Sequence, residues 1–439
     1  MNVLIVGGGA REHSIVYAIK NGTTDSNIFA FMGNRNPGIA RACEDFQIGE
    51  VTDSEKITDY ATSKNIDIAI VGPEAPLNVG VTDSLESKGV RVASPTKAVA
   101  QIECDKSFCR NLMKKYNIFG SPEFGVFSDM SEASDFIDAV GRDIVVKPVG
   151  LTGGKGVKIM GEQLSDAEEA KKYASEVIED KIGGLSMVVL EERLKGEECT
   201  IQAFTDGKNL VPMPLVQDHK RAYEGDLGPN TGGMGSYSDS NHLLPFIEES
   251  EYQKCLQIMT DTINSIKEET GEYYKGILYG QFILTERGPY VIEFNCRFGD
   301  PEAMNVLPLL KTDFIEISEG IADGNLKKVD FENFATVCKY VVPGGYPDNP
   351  VRNAKLNIGD IEDALLFYAS VNEKGGDIYT TSSRSLAVVG IADTIYDAEI
   401  KAEEALSNIS GNIHCRHDIG KKELIEKRIN HMRELKGQN

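Results

Sequence analysis

The chain has 439 residues, with 68 acidic against 46 basic side chains and a formal net charge of −22. This length predicts two to four domains, and the charge excludes nucleic acid and anionic membranes as main partners, because both need a basic surface. No stretch reaches the roughly 20 apolar residues of a membrane span, and no secretory signal is recognisable. The eight cysteines are scattered, which is typical of reduced thiols. We therefore expect a cytoplasmic protein that binds small molecules.

The first hundred residues alternate short apolar runs with amphipathic stretches. The runs cover residues 3–6, 28–31, 66–71 and 90–92, a pattern that predicts a doubly wound parallel sheet. In such sheets the loops that follow the strands bind ligands. The candidate loops cover residues 7–11, 33–38 and 72–77.

The first candidate loop is glycine-rich and precedes a predicted helix. A dinucleotide-binding loop needs the pattern G-x-G-x-x-G/A and an acidic residue about 20 positions later. Gly7 and Gly9 match, but Glu12 stands at the third glycine position and the second apolar run ends without a carboxylate. The nicotinamide interpretation thus lacks two required features. A loop for a monophosphate or another small ligand, and a turn that serves only packing, both stay open.

Beyond the first hundred residues the order of elements is mixed, which favours an α+β arrangement. Strands are predicted at 144–147, 157–160, 187–191, 200–204, 280–284 and 290–294, and helices at 166–178 and 251–267. A last part, from about residue 325, has predicted strands at 336–342 and 386–391 and a helix at 395–406. The pattern changes predict domains at 1–101, 102–324 and 325–439.

A second glycine-rich loop follows the predicted strand that ends at Lys147. Its Gly153-Gly154-Lys155-Gly156 run can close over a triphosphate, because it combines N–H donors with positive charge. It is not a Walker A loop, since a strand rather than a helix follows the glycines. A mobile surface hairpin is the alternative.

The stretch YVIEFNCRFGDPE carries the clearest chemistry. Strand alternation puts Glu293 and Asn295 on one face together with Val291. Two oxygen ligands at this spacing suit Mg²⁺ bound between protein and polyphosphate. Gln281 on an antiparallel neighbour could add a third oxygen, and Arg297 follows with a guanidinium suited to a carboxylate or phosphate.

Two polar clusters lie between these motifs. The first, QDHKR at 217–221, mixes an acid with three potential cations, and the second, GPNTGGMG at 228–235, is a glycine loop that we expect to be neither helix nor strand. Together they predict a site for an anionic substrate that carries an amine. A solvated loop is the alternative.

In the order and spacing of its motifs, the chain resembles the ATP-grasp ligases, specifically the phosphoribosylamine–glycine ligase family. The matching motifs are GGGAREH, VGPEAPL, the ExxK of Glu103 to Lys106, LTGGKGV, LEERLKGEE, QDHKR, GPNTGGMG, VIEFNCRFGDPE, VPGGYP and CRHDIG. The resemblance implies a biotin-carboxylase-like N-terminal domain, an ATP-grasp domain with a mobile lid at about 121–190, and a small mixed β/α C-terminal domain. It also implies a carbon–nitrogen ligase of purine synthesis. Through glycyl phosphate, this reaction joins glycine to 5-phosphoribosylamine and turns ATP into ADP and phosphate.

The resemblance assigns roles to the matching residues. It implies that Lys106 and Lys147 bind the ATP phosphates, together with the lid residues Gly153, Gly154, Lys155 and Gly156. Glu191, Glu192 and Leu194 are expected to border the adenine. Glu198 is expected to bind the ribose of ATP. Two Mg²⁺ or Mn²⁺ ions are expected at Gln281, Glu293 and Asn295. The expected catalytic residues are Arg297, Asp218 and Lys220, and Asn230, Thr231 and Gly232 line the substrate side. Phosphoribosylamine is expected at Gly9, Arg11, Glu12, Glu74 and Pro76.

The chain departs from the family in two places. It reads Lys147-Pro148-Val149-Gly150 where the family has K-A-D-G, which removes an acid beside the lid, and Ser382-Ser383-Arg384 where Gly-Gly-Arg is usual. A different ATP-grasp ligase should differ at 217–221 and 228–235, and a non-catalytic nucleotide-binding module should lack a metal ligand or a phosphate lysine. A monomer or weak homodimer is expected.

Overall fold

A computed structural model describes residues 1–152 and 156–437 of the chain. The N-terminal strands are β1 Asn2–Val6, β2 Asn27–Met32, β3 Asp45–Ile48, β4 Ile68–Val71 and β5 Arg91–Val92. The helices between and after them are α1 Ala10–Lys20, α2 Pro37–Ala42, α3 Ser54–Ser63, α4 Glu74–Val79, α5 Val81–Glu86 and α6 Lys97–Cys104. The strands form a parallel sheet in the order β3-β2-β1-β4-β5. The order reverses between β1 and β4, where ligands bind in such sheets.

Two of the predicted loops begin helices instead. Helix α4 begins at Glu74, whose carboxylate suits the positive end of the helix dipole. Helix α2 begins at Pro37 because the Asn36 side chain caps it and accepts from the Gly38 N–H at 3.0 Å. Strand β3 has no counterpart in the sequence prediction, since its residues are not fully buried and no apolar run marks them.

A separate antiparallel unit covers residues 124–192, and we call it the lid. It contains the strands β6 Phe124–Phe127, β7 Ile144–Pro148, β8 Lys158–Ile159 and β9 Val188–Glu192, and the helices α8 Met130–Val140 and α9 Ala167–Glu179. The strand order is β6-β9-β7-β8. Its apolar side chains form their own cluster, which includes Ile137, Val146 and Leu190. The lid boundaries predicted at 121 and 190 stay a prediction.

The central sheet has the order β11-β10-β16-β17. Its strands are β10 Glu197–Thr205, β11 Leu210–Pro212, β16 Gly276–Thr285 and β17 Gly288–Asn295. The accompanying helices are α7 Lys106–Lys115, α10 Glu249–Thr270, α11 Glu302–Val306 and α12 Phe314–Asp323, with a 3-10 turn at Leu307–Leu309. Asp105 caps α7 and accepts from the Ser107 N–H at 2.8 Å, so Lys106 becomes the first helical residue.

The C-terminal sheet includes strands from the middle of the chain. The middle strands are β12 Gln217–Asp218, β13 Arg221–Tyr223, β14 Leu227–Asn230 and β15 Gly235–Ser238. The later strands are β18 Ala335–Pro343, β19 Lys355–Ile358, β20 Ala364–Tyr368, β21 Val371–Lys374, β22 Asp377–Thr380, β23 Leu386–Ala392, β24 Ile409–Ser410 and β25 Ile413–His414. The last helices are α13 Ile395–Ser407 and α14 Lys422–Leu435.

Strands from both groups pair in the order β12-β15-β18-β23-β20, with β25 beside β18. The strands β21, β22, β19 and β24 form a second small sheet, and β13 and β14 form a hairpin. The prediction that 228–235 is wholly loop is wrong at its ends, because residues 228–230 belong to β14 and Gly235 begins β15.

One apolar core joins the N-terminal, central and C-terminal parts. It extends from Leu4 in β1 through Phe294 in β17 to Tyr340 in β18 and Met432 in α14. Polar contacts add to it: the Tyr368 N–H donates to His13 Nδ1 at 2.9 Å. Within the described ranges, no helix combines the length and apolar character that crossing a bilayer requires. Three parts of the chain therefore share one core, while the lid has its own.

Gly390 in β23 lies directly against α13. A Cβ at this position would stand 1.9 Å from the Ala398 carbonyl oxygen, so the helix must shift to admit it. We expect Gly390→Ala to cost about 1–3 kcal/mol and to lower the midpoint of thermal unfolding by several degrees, measured by circular dichroism. Gly33→Ala is the control, because its Cβ would meet only Val51 at 4.0 Å. Equal midpoints for the two variants would contradict the prediction.

Candidate active site

The hairpin of β16 and β17 is the platform of the site, and its register is broken once. Gln281 pairs with Glu293, but Phe282 pairs with Val291, so Ile292 is an extra residue in β17. A β-bulge of this kind changes which face the following side chains occupy. Val291 lies with Phe282 in the core. The prediction that Val291 shares a face with Glu293 is therefore wrong.

Two cations bind the backbone carbonyls at the bulge. Lys147 Nζ donates to the Ile292 oxygen at 3.2 Å, and one Arg110 nitrogen donates to the Ile292 and Val291 oxygens at 2.9 and 3.0 Å. Both cations also hold Glu191, with Arg110 Nε 2.7 Å from Oε1 and Lys147 Nζ 2.6 Å from Oε2. This network ties the lid strands β7 and β9 to β17 and α7.

Glu191 is ionised although it is buried. Burial raises the pKa of Glu191, but the charges of Arg110 and Lys147 outweigh burial and lower it to about 2. Glu192 pairs with Arg142 and Arg287, each at 3.1 Å. The side chains of both glutamates are thus engaged by protein cations. The adenine role predicted for Glu191 and Glu192, and for the half-buried Leu194, stays a prediction that rests on their backbone groups.

The charges of three lysines act on Glu293. Burial alone would raise the pKa of this carboxyl. The positive charges of Lys220, Lys106 and Lys147 lower the pKa by a larger amount, so the net shift is downward. Asn295 Nδ2 donates to Glu293 Oε1 at 3.2 Å, and Lys106 Nζ donates to a backbone oxygen of the lid at 2.9 Å. An ionised carboxylate among three cations is a setting in which a metal-bound polyphosphate can be neutralised.

Gln281 contacts Glu198 and Thr200 across the central sheet. Its Nε2 donates to Glu198 Oε2 at 2.9 Å, and its Oε1 accepts from Thr200 Oγ1 at 3.0 Å and from the Tyr279 hydroxyl. Glu198 Oε2 also lies 3.5 Å from Lys220 Nζ. The structure thus places Glu198, for which the ribose of ATP is predicted, beside a predicted metal residue. Its ribose role stays a prediction.

The predicted metal residues offer one carboxylate and two amides. In residues 1–152 and 156–437, no group of three His, Cys, Asp or Glu side chains is placed to hold a metal ion. Carboxylate and amide oxygens are hard donors, and Mg²⁺ bound by few protein ligands keeps waters and substrate phosphates as its remaining ligands. The donor set of Glu293, Asn295 and Gln281 fits a divalent cation of this kind.

Arg297 lies where the N-terminal and central parts meet. One of its terminal nitrogens is 2.8 Å from Glu103 Oε1 and donates to Asn295 Oδ1 at 3.2 Å, and its Nε is 3.5 Å from Glu74 Oε2. Burial alone would raise the pKa of Glu74. The positive charges of Arg297 and Arg11 lower the pKa by a larger amount, so this carboxylate is ionised. Among the described residues, the buried Nε of Arg297 has no hydrogen-bond acceptor. It is a donor that a substrate anion can use.

The opening glycine loop contains a carboxylate of its own. The Gly9 N–H donates to Glu12 Oε2 at 2.6 Å, and Arg11 Nε is 2.6 Å from Glu12 Oε1. A Cβ at Gly72 would stand 2.0 Å from that Oε1, so Glu12 fills the space between the loops after β1 and β4. An acid here favours sugar hydroxyl groups over a phosphate as partner of the loop. Pro76 is buried inside α4.

Arg384 holds the loop between β14 and β15. It is not among the site residues predicted from the sequence. One of its nitrogens donates to the carbonyl oxygens of Gly232, Gly233 and Asp300 at 2.7, 3.0 and 3.0 Å. The other terminal nitrogen is 3.2 Å from Asp300 Oδ1, and the guanidinium lies 4.3 Å from the centre of the Tyr340 ring. The loop is thus fixed by a side chain 150 residues later in the chain.

Asp218 faces this loop from β12. Burial and the charge of Glu302 raise its pKa well above the usual range, against Lys220 and Arg384, which lower it. Its Oδ1 is buried and finds no hydrogen-bond donor in the described part of the chain. An acceptor without a donor, beside two cations, is suited to an amino group supplied by a substrate.

The hairpin of β13 and β14 fixes Lys220. The N–H and Oγ1 of Thr231 donate to the Lys220 carbonyl oxygen at 2.7 and 2.8 Å, and Asn230 pairs with Arg221. From behind, one Arg416 nitrogen donates to the Arg221 carbonyl oxygen at 3.1 Å. The hairpin therefore brings together three residues that were predicted for the same side of the site, Lys220, Thr231 and Asn230. The C-terminal part supports this hairpin.

The structure adds five residues to the site that the sequence analysis did not select: Glu103, Arg110, Asp300, Glu302 and Arg384. Glu103 and Arg110 carried a signal, because each is within four positions of Lys106 at the junction of α6 and α7. Of the predicted lid residues, Gly153, Gly154 and Lys155 lie outside the described residues. Gly156 is described, and its carbonyl oxygen accepts from the Tyr173 hydroxyl at 2.8 Å.

Three family models match the chain one after another. The phosphoribosylglycinamide synthetase N domain matches residues 1–103, the ATP-grasp (A) domain 104–303 and the C domain 336–422. A phosphoribosylamine–glycine ligase of Methanocella arvoryzae is 54% identical over 439 residues, which is 100% of each chain. Another, of Methanothermobacter thermautotrophicus, is 53% identical over 441 residues and covers 99% of this chain and 100% of its own.

Solved structures support the same assignment. A crystal structure of phosphoribosylamine–glycine ligase from Thermotoga maritima is 30% identical, has a TM-score of 0.81, and covers 95% of this chain and 100% of its own. The biotin carboxylase domain of a Hydrogenobacter thermophilus 2-oxoglutarate carboxylase has a TM-score of 0.74 at 17% identity and covers 98% and 93%. The second likeness concerns the fold alone. The predicted architecture of an ATP-grasp core between N- and C-terminal domains is confirmed.

Glu191 contributes stability that depends on pH. Its pKa in the folded chain is about 2, against an ordinary 4.5, so its contribution is complete above about pH 4.5 and is lost as the pH falls toward 2. We expect Glu191→Gln to lower the urea midpoint at pH 6.5, and this difference from the parent chain to shrink at pH 3.5. The matched control is Glu286→Gln, an exposed acid in the β16–β17 turn. A difference that is the same at both pH values would contradict the prediction.

Proposed function

Because the chain belongs to the phosphoribosylglycinamide synthetase family, it is an ATP-dependent ligase that joins glycine to 5-phosphoribosylamine, and we propose how its residues divide this work. A glycine carboxylate oxygen attacks the γ-phosphorus of ATP, and ADP leaves. The amine of phosphoribosylamine then attacks the acyl carbon of glycyl phosphate, and phosphate leaves. Neither step needs a protein nucleophile, so positioning and charge neutralisation carry the catalysis.

The ATP phosphates are assigned to Lys106, Lys147 and Lys220, together with the loop at 153–156. The observation that carries the proposal is that Lys147 binds the Ile292 carbonyl oxygen beside Glu293 and that the charges of all three lysines lower the pKa of Glu293. Lys106 stands at the start of α7, Lys147 in β7 of the lid and Lys220 beside the hairpin. Three elements thus each supply one positive charge to the region of Glu293, and a transferring phosphoryl group needs such charge.

ATP-grasp enzymes use ATP with divalent metal ions, and we assign these ions to Glu293, Asn295 and Gln281. Mg²⁺ or Mn²⁺, two ions with ATP, fits the oxygen donors of these side chains. When bound, the metal neutralises phosphate charge. Glu293 is held ionised for this purpose by the lysines around it. Gln281 would need to exchange its amide contacts with Thr200 and Glu198 to offer its oxygen.

Glycine is assigned to the space between Arg297 and Asp218. Arg297, whose Nε is 3.5 Å from Glu74 Oε2, would bind the carboxylate and hold it toward the γ-phosphate, while Oδ1 of Asp218 would accept from the ammonium group. The ammonium charge would also lower the raised pKa of Asp218 and keep it ionised in the complex. Both assignments use groups that have no hydrogen-bond partner among the described residues.

Phosphoribosylamine is assigned to the other side of Arg297. Glu12 and Glu74 offer carboxylates for ribose hydroxyl groups, and Arg11 offers a cation for the phosphate. Residues expected to complete this side are Gly9, Pro76, Asn230, Thr231 and Gly232. The charges of Arg297, Glu74 and Asp300 affect the pKa of Arg11. This interaction supports a shared binding region at the junction of the N-terminal and central parts.

We further propose a cytoplasmic location and a monomer or weak homodimer. All eight cysteines are free thiols, which suits a reducing compartment. The charge of −22 opposes close association of copies at low ionic strength.

The direct test is release of ADP from Mg-ATP with glycine and freshly made phosphoribosylamine, followed by omission of each substrate in turn. We expect ADP release to require both, with glycinamide ribonucleotide detected by mass spectrometry. ADP release that continues without glycine, or a product built on another acid, would overturn the proposal.

Glu293→Gln tests the metal assignment. Because the amide keeps the size of the side chain but loses its charge, we expect turnover to fall at least about 100-fold, with the fold kept. Turnover should be measured over a range of Mn²⁺ and Mg²⁺ concentrations, with circular dichroism as the folding check.

Glu286→Gln is the matched control, because it changes an exposed acid in the same hairpin and should keep normal turnover. A Glu293→Gln chain with near-normal activity at ordinary metal concentration would remove Glu293 from the metal site.

A further inference from the structure

A thiol, an imidazole and a carboxylate form a line of contacts in the C-terminal part, next to the residue that supports the β13–β14 hairpin. Cys415 Sγ is 3.3 Å from His417 Nε2, and His417 Nδ1 is 2.8 Å from Glu403 Oε2. Cys415 and His417 follow β25, and Glu403 belongs to α13. This is the order of a nucleophile, a general base and the group that orients the base.

The surroundings fix the imidazole in place. Lys339, fully buried in β18, pairs with Glu403 and donates to the His417 carbonyl oxygen at 3.0 Å. The backbone N–H of His417 donates to Glu224 Oε1 at 3.1 Å. Because Glu403 occupies Nδ1, the ring carries its proton there, and the lone pair of Nε2 faces the Cys415 thiol.

The thiol is reachable and needs a base. Cys415 is half-buried, and the side chain of His417 is 51% exposed, so a small reagent can approach. Burial and the charges of Glu403 and Glu224, opposed by Lys339, raise the pKa of Cys415 to about 11. Free thiolate is therefore scarce at neutral pH, and the nearby Nε2 is the group that can take the proton.

We propose that Cys415 is a thiol modification site for small disulfides, with His417 as general base and Glu403 as its positioning residue. His417 Nε2 removes the thiol proton while Sγ attacks one sulfur of the reagent. The reagent's S–S bond breaks, a new S–S bond joins Cys415 to half of the reagent, and the leaving thiolate takes the proton from the imidazolium. One thiol and one disulfide give one thiol and one disulfide, so no further oxidant is required.

Cys43 provides an internal comparison. It is the other half-buried cysteine, while the remaining six are buried. Burial, together with Glu44 and Asp45 and against Lys20, raises its pKa to about 12. No hydrogen bond joins Cys43 to a histidine in the part of the chain that the structure describes. The pKa values of the two thiols also differ, by about one unit, so a general base at Cys415 must add to the roughly tenfold difference that thiolate fraction alone would give.

The experiment treats the full-length native chain with limiting 4,4′-dithiodipyridine at pH 7 and quantifies each cysteine peptide by mass spectrometry. We expect Cys415 to react at least about 100-fold faster than Cys43, because the general base adds to the difference in thiolate fraction. Equal rates for the two thiols would overturn the proposal. This comparison lies within one chain, so it needs no variant that has to fold.

Variants then distinguish a general base at His417 from a residue that only supports the structure around Cys415. We expect His417→Asn to slow Cys415 at least about tenfold at pH 7 and to make its rate rise tenfold per pH unit up to about pH 9, as thiolate alone becomes the nucleophile. Glu403→Gln should slow it less, and the neighbouring exposed Glu404→Gln should not change it. A His417→Asn chain with the parent rate and pH profile would overturn the proposal.

Discussion

The site depends on the balance of buried charge around the β17 bulge. Lys147 and Arg110 can lie side by side away from water only because Glu191 lies between them, and the lysines around Glu293 depend on that carboxylate in the same way. Removing one member of such a buried group leaves the others uncompensated, which costs more than the pair contributes. The strands, helix and lid that carry these side chains are therefore held in register by electrostatics as much as by apolar packing.

This balance also explains how a lid with its own core stays joined to the rest. Its main apolar cluster is separate, although Leu151 of the lid packs against the shared core. The contacts that link it to the platform are polar and converge on Lys147, Glu191 and Glu192. A nucleotide bound as we propose would meet the same cations, and it would exchange one set of charge partners for another without opening the lid's apolar core.

The sequence predicted the elements that carry strong local signals and missed those that depend on distant partners. Apolar runs located about half of the strands within a few residues, and Glu293 and Asn295 were selected because their spacing is short. The bulge at Ile292 was invisible, since regular alternation is the simplest interpretation of an apolar strand. Arg384 has no local signal, because its acceptors at Gly232 and Gly233 are brought near only by pairing of β15 with β18.

The support of the β13–β14 hairpin by Arg416 has a consequence for the order of events during protein synthesis. The contact joins Arg221 to a residue 195 positions later, and Lys220 lies next to it. Domains fold as they emerge from the ribosome, N-terminal ones first. The parallel sheet and the lid can therefore form while the chain is still being made, but the hairpin gains its final support only after the C-terminal segment has been translated. A nascent chain can therefore form its parallel sheet and its lid before the hairpin beside Lys220 has its full support.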